Sequence, residues 1–341
     1  MVKNIRIKQI HTNSLACEPM LRRTQNGELL CVCQCDGPFE PHIDNRVYAF
    51  HSKDNGETWS ERENIYPEDG NAVYCTELSV EGDEITAYLT VHSGRFLNWK
   101  CVMMKSFDNG YTWENCGAPP HFSEYTFIRS RIHKSNGDIL IPYQYYPVTQ
   151  EGRDRVLNDD SIQDKAVWWT KPEYCESGVL ISSDNGQNYE RYAASRMDMS
   201  GGWIWSEPTI VELWDGRIAM LMRKDLSGYL WYTESKDGGK NWSDTIKTDI
   251  PNPANKPRLI KYGDKIALIH TPNSVAGWGE RYPLSLWISD DDMKTWKYKT
   301  NLTDFPGSYC YTDGFYEDGH IIFAIEHNRH SILFIDVELI E

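Results

Sequence analysis

The sequence predicts an all-β protein, a six-bladed β-propeller whose blades are four-stranded antiparallel sheets. One observation is an octapeptide close to Ser-x-Asp-x-Gly-x-Thr-Trp, which occurs five times, at 52–59, 106–113, 182–189, 235–242 and 289–296. A second is its spacing: the aspartates of successive copies are 54, 76, 53 and 54 residues apart, and a repeat near 50 residues is typical of propellers. A third is the composition, since 13% of the residues are aromatic and aromatic side chains favour strands.

The five copies, called the repeated octapeptides below, have the chemistry of a tight turn. Asp-Asn-Gly or Asp-Gly-Gly supplies a residue with positive φ and a carboxylate that caps backbone N–H groups. The Trp or Tyr that closes each copy can pin the turn onto a neighbouring part of the fold. We therefore expect these copies to stabilise the fold, and we expect the chemistry to lie elsewhere.

The same order of elements precedes every repeated octapeptide: two short apolar strands joined by a Gly-containing turn, a variable loop and a third strand. The expected strands of the five units are 18–24, 28–34 and 46–51; 74–80, 84–91 and 99–105; 127–133, 138–143 and 177–181; 208–213, 217–222 and 229–234; and 257–261, 265–270 and 284–288.

A sixth unit, at 311–316, 320–325 and 331–337, has no octapeptide and no fourth strand. The alternating segment 5–10 at the start of the chain is expected to supply that strand. Such a pairing closes the ring and removes its exposed sheet edges. The sequence thus predicts a single domain over 1–341.

The irregular gap of 76 residues contains about 22 extra residues, between Tyr145 and Cys175. They fall in the loop between the second and third strands of the third blade, and they include a charged stretch and Trp168-Trp169. Long insertions of this kind are usually functional or disordered. A lid, a subsite wall and an oligomer contact all remain open for the segment 145–175.

Composition limits the partners and the location. The net charge is −15, with 50 acidic and 35 basic residues, which argues against nucleic acid or an anionic membrane surface. No apolar run approaches the roughly 20 residues of a membrane span, and the first residues lack the apolar core of a signal peptide.

Nine cysteines, an odd number, favour buried thiols and a reducing cytoplasm. No cofactor motif or metal-ligand spacing is found, so the site is expected to need neither.

Function is expected at the end of the ring opposite the repeated octapeptides, where inner strands begin and the loops between second and third strands lie. Charged and polar residues from every blade fall there, which predicts a polar pocket on the ring axis. The candidates are Glu18, Asp36, Asp44, Glu77, Arg129, Arg131, Glu207, Arg223, Arg258, His270, Arg281, Tyr311 and Glu326.

The repeated octapeptide also matches the Asp box of the sialidase (neuraminidase) superfamily, and the chain resembles that family along its whole length. Ser206-Glu207-Pro208 followed by Arg223 is similar to the family's glutamate strand and a triad arginine. Arg281 resembles the arginine that precedes a box-bearing strand. Tyr311 and Glu326 resemble the tyrosine strand and the glutamate at the end of the following strand.

This resemblance implies an exo-acting, retaining glycoside hydrolase that acts on a carbohydrate. Tyr311 is then the nucleophile and Glu207 the base that takes its proton, because a phenol with a pKa near 10 is a weak nucleophile alone. Asp44 is the candidate for the acid that protonates the leaving oxygen, with Asp36 in reserve. Arg223 and Arg281 are expected to bind a substrate carboxylate through forked donors.

One departure from the family is found on the first inner strand. Where sialidases have an arginine in an Arg-Ile-Pro motif, this chain has Cys17-Glu18-Pro19. Glu18 is expected to repel an anionic sugar unless Arg129, Arg131 or Arg258 supplies the missing charge, and Glu326 is left without that arginine. Two alternatives follow: a carboxylate pair drawn from Glu18, Glu77, Glu207 and Asp44 acting on a neutral or uronic sugar, or a carbohydrate-binding propeller without turnover.

Overall fold

A computed structural model describes residues 1–275 and 280–340, and within these ranges the strands form six sheets. The chain begins with β1 (Val2–Thr12). The first blade has β2 (Ala16–Arg23), β3 (Leu29–Cys35), β4 (Arg46–Ser52) and β5 (Glu63–Asn64). The second has β6 (Ala72–Glu81), β7 (Glu84–His92), β8 (Trp99–Ser106) and β9 (Glu114–Asn115). The third has β10 (Thr126–Ile128), β11 (Ile132–His133), β12 (Ile139–Tyr145), β13 (Tyr174–Ser182) and β14 (Glu190–Asp198).

The remaining three blades follow in the same antiparallel order. The fourth has β15 (Pro208–Glu212), β16 (Ile218–Met222), β17 (Tyr229–Ser235) and β18 (Ile246–Pro251). The fifth has β19 (Arg258–Tyr262), β20 (Lys265–His270), β21 (Ser285–Ser289) and β22 (Tyr298–Asn301). The sixth has β23 (Tyr309–Glu317), β24 (His320–His327) and β25 (Ser331–Leu339).

The inner strands surround one axis. Strand β2 contacts β6 on one side and β23 on the other, while β15 contacts β19, and β19 contacts β23. The N-terminal strand β1 pairs antiparallel with β25, so the sixth sheet has the order β1-β25-β24-β23. Both the six-bladed propeller and its closure by the N-terminal strand are therefore confirmed.

The repeated octapeptides stabilise the junctions between blades. In the first copy Asp54 Oδ1 accepts a hydrogen bond from the backbone N–H of Thr58 at 2.9 Å, and Gly56 N–H donates to Ser52 Oγ at 2.7 Å. Gly56 has φ +86°, and a Cβ there would lie 2.5 Å from the ring of Phe334 in the sixth blade. The glycine is needed because the turn packs directly onto its neighbour.

The extra residues of the third blade connect β12 to β13. They contain α1 (Gln150–Asn158), whose Thr149 side chain caps the helix by accepting from Gly152 N–H at 3.0 Å, and a short 3-10 helix, Val167–Thr170. Arg155 fastens the two together by donating to the carbonyl of Trp169 at 2.9 Å. In the part of the chain that the structure describes, no helix is long and apolar enough to cross a membrane.

Candidate active site

A cavity of about 1340 Å³ lies at the end of the axis away from the repeated octapeptides. Every blade contributes to its lining through the start of an inner strand or through a loop between second and third strands. The segment between β12 and β13 also reaches it, through Trp168 and Trp169. The cavity thus occupies the region in which the sequence predicted a polar pocket.

Two kinds of side chain line this cavity. One wall is charged and polar, and includes Glu18, Glu40, Arg129, Glu207, Asp225, Arg281, Tyr311 and Arg329. The other is aromatic, and is formed by Tyr74, Phe96, Phe127, Trp168, Trp169, Trp203 and Trp205. Such a combination suits a ring that has polar edges and an apolar face, because the edges accept directional hydrogen bonds and the face stacks.

Arg223 organises the polar wall from behind it. The arginine is fully buried, and its Nη1 donates to Glu207 Oε1 at 3.1 Å and to the Tyr311 hydroxyl at 3.2 Å. Its Nε donates to Asp225 Oδ1 at 2.6 Å. The second carboxylate oxygen, Glu207 Oε2, is buried and accepts no hydrogen bond from the described residues. A phenol and a carboxylate with an available oxygen are therefore held against the same guanidinium.

The Tyr311 phenol is protonated in this environment. Burial raises its pKa well above the ordinary value, and although the Arg223 guanidinium opposes this effect, the Glu207 carboxylate adds to it. The backbone at Tyr311 has φ +55° and lies at a register shift between Cys310 and Asp313. Such a bulge re-aims a side chain, and here it directs the phenol into the cavity.

The charged residues on the other side of Tyr311 include two further arginines. Arg281 donates to Cys310 Sγ and to the carbonyl of Ala254, each at 2.7 Å, and its guanidinium carbon lies 5.7 Å from the centre of the Tyr311 ring. Arg329 forms an ion pair with Glu40, and its Nη1 is 3.6 Å from Glu326 Oε1. Arg329 thus supplies a positive charge beside Glu326, which lacks the family's arginine on the first inner strand.

The structure brings together most of the residues on which the predicted chemistry depends. Tyr311, Glu207, Glu18, Arg129 and Arg281 line the cavity. Arg223 and Glu326 lie directly behind the lining, since both are fully buried and contact lining residues.

The structure places the two acid candidates of the first blade, Asp44 and Asp36, outside the cavity lining. The Asp44 side chain is 64% exposed and pairs with His42. Asp36 accepts from the Tyr48 hydroxyl at 2.6 Å and from Arg62. Neither side chain lines the cavity.

Glu40, from the same loop, lines the cavity in their place, and Arg329 lies on the turn after β24. Sequence reasoning missed both residues. Their position in the repeat could have identified them, because each lies in the loop between the second and third strands of its blade.

Three other candidates, Glu77, Arg258 and Arg131, lie outside the cavity lining. Glu77 pairs with Arg22 at 2.8 Å, and Arg258 donates to the carbonyl of Gly314 at 2.9 Å. Arg131 pairs with Glu81. Each of these side chains contacts a partner that does not line the cavity.

His270 is buried against Trp287, with the ring centres 4.5 Å apart, and burial lowers its pKa to about 3. It is therefore a neutral core residue. No group of three His, Cys, Asp or Glu side chains that could hold a metal ion occurs in the described ranges.

The fold and the site define a class, the six-bladed propeller with a polar cavity on its axis. Residues 27–322 match the BNR repeat-like domain, and the chain belongs to that family. The comparisons agree with the resemblance to the sialidase superfamily.

A curated sialidase from Bacteroides fragilis is 22% identical over 227 residues, which are 63% of this chain and only 37% of the relative. Hadza microbial sialidase Hz136 has a TM-score of 0.74 at 15% identity, over 96% of this chain and 66% of its own. A Dyadobacter fermentans protein of unknown function has a TM-score of 0.72 at 16% identity, over 99% of this chain and 100% of its own.

Proposed function

We propose that the protein is an exo-acting, retaining glycoside hydrolase that removes a terminal sugar from a glycan or oligosaccharide. The observation that carries this proposal is the contact of Arg223 Nη1 with both Glu207 Oε1, at 3.1 Å, and the Tyr311 hydroxyl, at 3.2 Å. It supports a nucleophile–base pair, because a buried phenol needs an adjacent group to take its proton. The relatives named as sialidases support the same class of reaction.

The reaction proceeds in two displacements. First, the Tyr311 oxygen attacks the anomeric carbon while Glu207 Oε2 takes the phenol proton, and the leaving oxygen receives a proton from an acid. Water then loses a proton to the conjugate base of that acid and attacks the anomeric carbon. The tyrosyl oxygen departs and recovers its proton from Glu207. Two inversions retain the configuration, and a Tyr nucleophile is a known exception to the scheme with two carboxylates.

We assign the acid to Glu40, the carboxyl group of the first-blade loop that lines the cavity. Burial raises its pKa, the Arg329 guanidinium opposes this, and the Glu326 carboxylate adds to it, so that the pKa lies above its ordinary value. A raised pKa suits a general acid, because it favours the protonated form that donates to the leaving oxygen. Four carboxylates were candidates for the alternative mechanism that uses a carboxylate pair. Of these four, Glu18 and Glu207 line the cavity.

A screen of aryl glycosides with neuraminic, uronic, arabinosyl and rhamnosyl donors tests this function. We expect the wild-type protein to release the aryl alcohol from at least one donor, and the Glu207→Gln variant to lose that turnover. Binding of a donor without turnover by the wild type would instead identify a carbohydrate-binding propeller.

The aromatic wall is suited to the leaving group. Trp203 stacks on Tyr146 with ring centres 4.2 Å apart, and Trp205 meets Trp203 edge to face, so both rings are fixed. Trp169 is 41% exposed, and its indole N–H donates to Asp164 at 2.6 Å. Among the three roles left open for the insertion, a subsite wall agrees best with the position of Trp169 in the lining.

Trp169→Ala is expected to raise KM for an aryl glycoside about 3–10-fold with kcat little changed, because a lost aromatic contact removes about 0.5–1.5 kcal/mol of binding. Trp214→Ala is the matched control, since Trp214 is 48% exposed and lies outside the cavity lining. Steady-state kinetics of both variants measure the effect. An equal KM in the two variants would contradict a role for Trp169 in the subsite.

A further inference from the structure

Glu18 is directed into the cavity by an unusual backbone conformation. It has φ +51°, in the left-handed region, and lies in a register shift between Cys17 and Met20. A left-handed conformation is costly for a residue with a side chain and persists where the surrounding structure requires it. Tyr311 has the same conformation at the equivalent shift in the neighbouring sixth blade. The same backbone conformation therefore directs both Tyr311, the proposed nucleophile, and Glu18 into the cavity.

The contacts of Glu18 hold its carboxyl group rigidly. Its Oε2 accepts from the Tyr74 hydroxyl at 2.8 Å, and that hydroxyl accepts from Arg129 Nη1 at 2.9 Å. Its backbone N–H donates to Glu326 Oε2 at 3.2 Å. Glu18 is 3% exposed and still belongs to the lining, so its carboxyl group is both fixed and within reach of a bound sugar.

Charged groups approach Glu18 from several elements. They are Glu40 from the loop after β3, Lys256 from before β19, Arg129 from after β10 and Glu326 from the end of β24. Burial, and then the Glu40 carboxylate, raise the pKa of Glu18 to about 8. The carboxyl group is therefore mostly protonated at neutral pH and can donate a hydrogen bond.

Two of the nearby cations already have carboxylates of the chain beside them. Arg329 pairs with Glu40 and lies near Glu326, and Arg129 Nη2 is 3.8 Å from Glu207. The lining as a whole has six acidic side chains and four basic ones. A sugar carboxylate beside Glu18 would be desolvated, and it would also be close to the carboxylates of Glu40 and Glu326. Both the desolvation and the like-charge repulsion would weaken its binding.

We infer that Glu18 is a specificity residue that hydrogen-bonds a hydroxyl group of an uncharged sugar, and that the glycone of this site is neutral where it meets the first inner strand. This inference deepens the proposed function and rests on it for the identity of the site. It takes one of the alternatives that the sequence left open, a neutral sugar, and gives it a physical basis.

The test measures binding, independently of turnover, on the Tyr311→Phe variant. Methyl glycosides of neutral sugars are compared by calorimetry with methyl glucuronide and a methyl sialoside at about pH 6.5. We expect the best neutral glycoside to bind at least about tenfold more tightly than either acid, which is about 1.4 kcal/mol. Tightest binding by a carboxylated sugar, or no binding by any neutral one, would overturn the inference.

Two further substitutions in the same background separate recognition from folding. Glu18→Gln copies the protonated carboxyl group, so binding is expected to fall at most about threefold, whereas Glu18→Ala is expected to lose about tenfold or more. Binding by the parent variant should weaken as the pH rises through about 8. Binding by the Gln variant should stay constant over the same range.

Equal affinities in the Gln, Ala and parent proteins would contradict the role of Glu18. If the wild type hydrolyses no donor while this selectivity is observed, the proposed catalysis fails and the inference on the sugar stands.

Discussion

Replacing Tyr311 with Phe is expected to lower kcat by roughly 10⁴-fold or more on any donor that the wild-type protein hydrolyses, because the covalent pathway loses its nucleophile. The substitution removes one oxygen, which accepts from Arg223 at 3.2 Å, and leaves the ring in its buried position. KM should change little, since the phenol bonds to the sugar only after binding. Steady-state and single-turnover kinetics with the best aryl donor measure the loss.

Tyr309→Phe is the matched control for this experiment. Tyr309 lies two residues earlier on β23, is fully buried, and donates its hydroxyl to the carbonyl of Phe305 at 2.7 Å, outside the cavity lining. Its variant should keep kcat within about twofold while losing about 1 kcal/mol of unfolding free energy for one hydrogen bond. A Tyr311→Phe variant that keeps more than about a tenth of wild-type kcat would exclude the tyrosyl intermediate.

Glu207 is expected to act in the same step as Tyr311, as the base that takes the phenol proton. Glu207→Gln keeps the shape of the side chain and cannot accept the phenol proton, so we expect kcat to fall about 10²–10⁴-fold. The two losses should not add in the double variant, because the base has nothing to activate once the phenol is gone. Full additivity would indicate that Glu207 acts on another proton.

The sequence was sufficient for the fold because propeller blades are local in the chain. Each unit repeats the same turn chemistry, and a glycine such as Gly56 is required wherever a turn packs onto the next blade. Ring closure could also be predicted, since the sixth unit lacks a fourth strand and the segment that forms β1 precedes the first unit. The predicted cytoplasmic location, the predicted lack of nucleic-acid and membrane partners and the idea of an oligomer stay predictions.

The site was harder to predict because a position near the axis does not say which way a side chain points. Glu77 and Arg258 are on inner strands as expected, yet both contact partners outside the cavity. Glu40 was missed because three carboxylates share its loop, and contacts made by Tyr48 and His42 decide which of them remains for the cavity. Such choices depend on side-chain contacts across blades, which no periodic pattern records.

Asp313 helps to explain why inner-strand residues such as Arg258 contact partners outside the cavity. Its carboxylate joins four blades on the axis. This fully buried carboxylate on β23 accepts from Leu21 N–H at 3.2 Å and from Arg22 in the first blade, and from Ser130 Oγ at 2.6 Å in the third. Arg258 of the fifth blade lies 3.6 Å away. Burial alone would raise the pKa of Asp313, but Arg22 and Arg258 outweigh it and lower the pKa to about 2.

Asp313→Asn is therefore expected to destabilise the protein by about 3–5 kcal/mol, since it removes the carboxylate that faces Arg258 and leaves Arg22 paired with Glu77 alone. That is a large part of the 5–15 kcal/mol typical of a folded domain. Urea unfolding followed by tryptophan fluorescence and circular dichroism measures it. Glu317→Gln, which breaks a partly exposed pair with Arg23 on the same strand, is the control and should cost about 0–1 kcal/mol.

The pH dependence distinguishes a charge effect from a packing effect. The pKa of Asp313 is lower in the folded protein than in the unfolded chain, so its contribution is present above the unfolded value, near 4, and is lost as the pH falls towards 2. The difference in unfolding free energy between the wild type and Asp313→Asn should therefore shrink over this interval. A difference that stays constant with pH would mean that the amide disturbs the packing of the axis, and that the ion pairs with Arg22 and Arg258 contribute little.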